Sequence, residues 1–148
     1  MQEERCQYVV RVKTGNVDHG GTDSTISLKL KSLSGNSFTI ADLDEWGLMG
    51  PGQDYFERGN LDVFKGTSNC LNVCAINVTS NDAGHKLGWY LDYVEVTVSG
   101  DVSKEISFPV NRWLAKDESP YSLSATVDSC FSVYRLDPHS LVCVSEQE

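Results

Sequence analysis

Oxygen-bearing side chains gather in three polar, glycine-punctuated stretches: residues 15–23 (Gly-Asn-Val-Asp-His-Gly-Gly-Thr-Asp), 50–59 (Gly-Pro-Gly-Gln-Asp-Tyr-Phe-Glu-Arg-Gly) and 81–85 (Asn-Asp-Ala-Gly-His). A hard divalent cation such as Ca2+ takes about six to eight oxygens from carboxylates, backbone carbonyls and water. Asp23 with the carbonyls of Gly21 or Thr22, joined by Asp54 and Glu57, offers that chemistry if the first two stretches meet in space. The plainer alternative is a turn that Asp23 caps through its own backbone, beside a solvated Glu57–Arg58 ion pair.

Other chemistry is poorly supplied. The three histidines, His19, His85 and His139, show no HExxH-type metal spacing. There is no GxSxG nucleophile elbow and no phosphate-cradling glycine loop. No catalytic constellation assembles, so the sequence reads as that of a non-enzyme. Twelve basic residues against 21 acidic ones leave a net charge of −9. Nucleic acid needs a basic stripe and is an unsuitable partner. Anionic lipid would have to be reached through a bound cation that reverses the local sign. No apolar run approaches the ~20 residues of a transmembrane segment.

The five cysteines contain no CxxC pair, which argues against a zinc site or a redox dithiol. Two disulfides among Cys6, Cys70, Cys74 and Cys130, with Cys143 left over, imply an oxidising compartment. The short Cys70–Cys74 separation suggests one bridge and leaves Cys6 to reach Cys130, although the four admit three pairings. Asn77-Val78-Thr79 is an N-glycosylation acceptor sequence. Met1–Cys6 has no apolar h-region; the disulfides and the acceptor sequence nonetheless give the expectation of a secreted or endoplasmic-reticulum chain whose signal peptide has been removed.

The elements that must carry these loops are strands. Tyr8, Val10 and Val12 alternate with Val9, Arg11 and Lys13; Ile26, Leu28 and Leu30 alternate with Ser27, Lys29 and Lys31. Val94, Val96 and Val98 do the same after Trp89-Tyr90, and shorter candidates cover 60–64, 75–79, 105–110, 121–127 and 131–136. Only Ile40–Leu48 suggests a helical turn, with Asp42 as its N-cap. About eight short strands with turn signals between them predict an all-β, antiparallel sandwich in a single domain. The expected limits are an N-terminal extension over 1–5, the domain over 6–136 and a flexible tail over 137–148.

Four segments in order carry a resemblance: Thr14-Gly15 with Gly21-Thr22-Asp23; Phe56-Glu57-Arg58-Gly59; Gly88-Trp89-Tyr90-Leu91-Asp92-Tyr93-Val94; and Phe108-Pro109 with Arg112-Trp113-Leu114. Together they resemble the PLAT domain, the polycystin-1, lipoxygenase, alpha-toxin module, from about Cys6 to Cys130. Residues 48–52, the Cys70/Cys74 pair and residues 113–121 are similar to the plant stand-alone branch of small secreted stress proteins and the embryo-specific protein 3 group. The resemblance implies an eight-stranded sandwich without catalytic activity and a role in attachment to lipid or protein, in a plant stress or seed setting. A monomer is expected. The alternative function is a stress or embryo protein that binds another protein, with lipid irrelevant and calcium at most structural.

The resemblance also implies site residues. Calcium-binding members use acids at the Gly-Thr-Asp turn and just before the Phe-Glu-Arg-Gly segment, so Asp23, Asp54 and Glu57 carry over, with Gly21 and Thr22 as carbonyl donors. A third loop usually adds a carboxylate just before the tryptophan of the Trp-Tyr-Leu strand. Gly88 stands there in this sequence, and the nearest acid ahead of it is Asp82. Members that grip bilayers present aromatics at the loop tips. The tip here is Val17, Asp18 and His19 with Tyr55 nearby, too small and charged for deep insertion. Calcium bridging to anionic headgroups, or capture of a protein or soluble lipid ligand, fits better. Phe56 and Trp89 are assigned to the core, and a partner-binding face is the lesser of the alternatives for Trp113.

Overall fold

The computed structural model describes residues 4–48, 50, 52–83, 88–130, 132–137 and 140–145, the last two segments as backbone. His85, His139 and the side chain of Cys143 lie outside the described residues. Period-two alternation becomes two stacked four-stranded antiparallel sheets. The first has the order β4 (Leu61–Asn69), β1 (Arg5–Thr14), β6 (Trp89–Ser99), β7 (Ser103–Leu114). The second runs β3 (Ser37–Ile40), β2 (Ile26–Ser32), β5 (Val73–Ser80), β8 (Ser124–Asp128). Tyr8, Val10 and Val12 of β1 face Ile26, Leu28 and Leu30 of β2 in the shared core, each at most 1% exposed. The expected eight-stranded sandwich is therefore present.

One of its strands differs from expectation. The eighth place is filled by β3, four residues that return from β2 through a turn with Gly35 at φ 96°. Ser-Phe-Thr-Ile is too short to show a period, which is why it escapes a pattern search. The segment expected over 131–136 instead gives β9 (Ser132–Asp137), which pairs with β10 (Ser140–Ser145) in a separate two-stranded sheet. The expected helical turn is a short 3-10 helix over Leu43–Trp46, capped by Asp42, whose carboxylate accepts the Asp44 N–H at 3.0 Å. Its Trp46 indole covers Gly66 of β4, where no Cβ would fit.

The disulfides are Cys6–Cys70 and Cys74–Cys130, which corrects the expected Cys70–Cys74 and Cys6–Cys130 pairing. Adjacency in sequence misleads because the chain changes sheets between Cys70 and Cys74. β1 pairs with β4 so that Cys6 opposes Ser68, two residues short of Cys70, whose N–H donates to the Glu4 carbonyl at 3.1 Å. In the other sheet β5 pairs with β8, and Ser129 N–H donates to the Cys74 carbonyl at 2.8 Å beside Cys130. Each bridge thus clamps neighbouring chain segments within one sheet, with Cα atoms 4.9 Å apart in both.

Candidate functional site

The C-terminal end of β1 and the N-terminal ends of β2, β4 and β6 meet at one rim of the sandwich. Two connections cross it: residues 15–25 between β1 and β2, and residues 47–60 before β4. Backbone hydrogen bonds join them directly. Thr22 N–H donates to the Phe56 carbonyl at 2.9 Å, Thr14 N–H to Asn60 at 2.9 Å, and Gly59 N–H to Gly15 at 3.3 Å. Gly21 permits this approach. A Cβ there would stand 2.9 Å from Arg58 N and 3.1 Å from both Glu57 Cα and the Phe56 carbonyl oxygen. Thr22 is fully buried, and its hydroxyl accepts the Ser24 N–H at 3.1 Å. The turn is thus capped by Thr22 rather than by Asp23.

That leaves Asp23 at the surface of the seam. One carboxylate oxygen each of Asp23, Asp54 and Glu57 lie within 4.8 Å of one another; the two aspartates are exposed and Glu57 is half-buried. At such a spacing each pair of carboxylates repels by about 1 kcal/mol in bulk water, and by more near a protein surface. A divalent cation among them would relieve all three repulsions. The donor set is all carboxylate oxygen, with no imidazole or thiolate, which suits Ca2+ or Mg2+ over a transition metal. Arg58 follows Glu57 in sequence, but its guanidinium bonds outward, to Asp18 Oδ1 and Asn16 Oδ1, both at 2.9 Å.

The remaining candidates have other positions. Asp82 does not join the trio. Its carboxylate lies 3.4 Å from Lys116 Nζ, on the loop that follows β7, and its own loop meets the first connection farther along, where Asn81 N–H donates to Thr25. Val17 is half-buried, while Asp18 and His19 are exposed at the tip, with His19 at φ 60°. Tyr55 is not a free tip: its ring packs on Phe64 with centroids 5.1 Å apart. Phe56 and Trp89 are core residues, as expected, and the Trp89 indole N–H donates to the buried Thr14 hydroxyl at 2.9 Å. Trp113 lies half-buried against Tyr90, edge to face at 5.4 Å. Asn77 sits on β5, second from the edge of its sheet, and its amide nitrogen donates to Thr126 Oγ1 at 2.8 Å.

Two residues went unnoticed in the sequence. Asp62 is completely buried and accepts hydrogen bonds from Phe56 N–H at 2.8 Å and from Gln53 Nε2 at 3.2 Å. Burial pushes its pKa up; the two hydrogen bonds oppose that, and the charges of Asp54 and Glu57 add to it. The pKa of Asp44 is also raised, by desolvation first and then by the charges of Asp42, Asp62 and Asp54. A signal for Asp62 was available: it takes the same strand face as Phe64, an inward slot where a carboxylate needs a reason.

The sequence matches the PLAT/LH2 domain over residues 8–127. It is 47% identical over 133 residues to PLAT domain-containing protein 2 of Arabidopsis thaliana, covering 86% of this chain and 73% of that one. With PLAT domain-containing protein 3 of the same plant it is 51% identical over 104 residues, 66% of this chain and all of the other. The fold superposes on a coral 8R-lipoxygenase structure with a TM-score of 0.63 at 20% identity, covering 86% of this chain and 17% of the enzyme. The alpha toxin of Clostridium absonum gives a TM-score of 0.58 at 21% identity, over 87% of this chain and 32% of the toxin.

Proposed function

Because the chain belongs to the PLAT/LH2 domain family, we propose that it is a non-catalytic attachment module whose loop rim binds Ca2+ and, through it, the headgroups of an anionic lipid surface. The observation that carries this reading is the convergence of Asp23, Asp54 and Glu57 from two separate connections onto one point. Two arguments support it. A protein of net charge −9 is repelled by anionic lipid unless a cation intervenes. The coral lipoxygenase is described as activated by calcium through a C2-like domain, and this chain shares the fold of part of that structure. The exposed tip, Asp18 and His19, carries no aromatic wedge, so contact stays at headgroup level rather than entering the acyl region.

The same reading puts the protein in an oxidising, secretory compartment, which suits two disulfides, and in the plant stress or seed setting that the family resemblance implies. The test is co-sedimentation with phosphatidylserine-containing vesicles in calcium or chelator, alongside calorimetric calcium titration. Calcium-dependent pelleting, lost in Asp23→Ala and Asp54→Asn, is the expected result. Pelleting indifferent to chelation refutes the calcium bridge. Calcium binding without pelleting transfers the attachment role to a protein partner.

A further inference from the structure

Beneath the rim lies a carboxylate that the ligand trio does not include. Asp62 of β4 is fully buried, and it spends both its oxygens on the connection above it: Oδ2 on Phe56 N–H and Oδ1 on Gln53 Nε2. These two partners bracket Asp54, and Phe56 adjoins Glu57. Phe56, between the two acids, sits at φ 63°, a left-handed conformation that a bulky residue rarely adopts without being held there. It is held from every side. Its ring stacks on Phe64 with centroids 5.6 Å apart and stands edge-on to Trp89 at 5.3 Å. Its carbonyl accepts from Thr22, and its N–H is taken by Asp62.

An apolar side chain would suit a core better than a buried carboxyl group, whose burial is costly even when hydrogen bonds satisfy it. What these bonds do is stop the connection from yielding. Asp54 and Glu57 repel each other and Asp23, and a slack loop would let them spread apart. We infer that Asp62 is a positioning residue, assisted by Gln53, which holds the Asp54–Glu57 segment in its cation-competent shape before any ion arrives. The inference rests on the calcium reading above and adds where the affinity comes from: a site shaped in advance loses less freedom on binding.

Calorimetric calcium titration of the native protein with Asp62→Ala, Asp62→Asn and Gln53→Ala tests this, with hydrogen exchange at the Phe56 amide measured in chelator. Asp62→Ala removes the acceptor of both hydrogen bonds and should bind calcium roughly tenfold more weakly or worse. Gln53→Ala should lose several-fold, and Asp62→Asn, which keeps an acceptor for Phe56 N–H, should fall between Asp62→Ala and the native protein. The Phe56 amide, protected in the native protein, should exchange freely in Asp62→Ala. A purely structural Asp62 would lower the melting temperature yet leave calcium affinity unchanged well below it. Native affinity in folded Asp62→Ala overturns the inference alone, as does native affinity in Gln53→Ala if Asp62→Ala does not fold. A native protein that binds no calcium overturns the parent reading and this one with it.

Discussion

Gly21→Ala isolates the seam between the two rim connections. The backbone at Gly21 lies outside the left-handed region, so alanine meets no conformational penalty and the effect is one of space. The added Cβ would stand 2.9 Å from Arg58 N and 3.1 Å from Glu57 Cα. Both neighbours are backbone and cannot rotate away, so the 15–25 and 47–60 connections must separate by a few tenths of an ångström. Overpacking of this kind costs about 1–3 kcal/mol, and for a chain of this size each kcal/mol lowers the melting temperature by roughly 2–4 °C. Because the displaced atoms belong to Glu57 and its neighbour, the trio loses its spacing, and calcium affinity should fall by roughly an order of magnitude. Differential scanning calorimetry and calcium titration read the two effects. Gly35→Ala is the control: at φ 96° with open space around it, it pays roughly 1–2 kcal/mol of backbone strain and leaves calcium binding untouched. Gly21→Ala with native melting temperature and native affinity would refute the claim that this glycine closes the site.

Replacing Cys6 and Cys70 by alanine frees a separation of 64 residues and should cost about 4 kcal/mol in urea unfolding; the Cys74–Cys130 pair, at 56, should cost a similar amount. A loss under 1 kcal/mol from either would show that the bridge constrains little. Thr14→Val removes the acceptor for the buried Trp89 indole N–H and should cost roughly 1–3 kcal/mol by the same measurement. For pH the sign follows from Asp62, whose pKa is raised in the folded state, chiefly by burial. Between the unfolded and folded pKa values the native state holds the extra proton, so stability falls as pH rises through that window and stays lower above it. Asp62→Asn should flatten this part of the profile in chelator, and a native-like slope would contradict it.

Much of the fold was legible because β structure repeats every two residues. Tyr8-Val10-Val12 and Ile26-Leu28-Leu30 announce which side is buried without reference to any other part of the chain. The same local logic located the three loops and the acids in them. It did not reach β3, which is too short to show a period, nor Asp62, whose role exists only because the 53–56 segment folds over it. Disulfide partners lay beyond it as well. Cys70 and Cys74 are neighbours in sequence but serve different sheets, and strand order alone puts Cys6 beside one and Cys130 beside the other. Asp82 shows the same limit, being close to the others in type yet drawn to Lys116. Composition and alternation determine which residues face inward, since that follows from local geometry and the cost of exposing apolar surface. Which distant carboxylates share a point is decided by strand register and loop contact, and those exist only once the two sheets have closed.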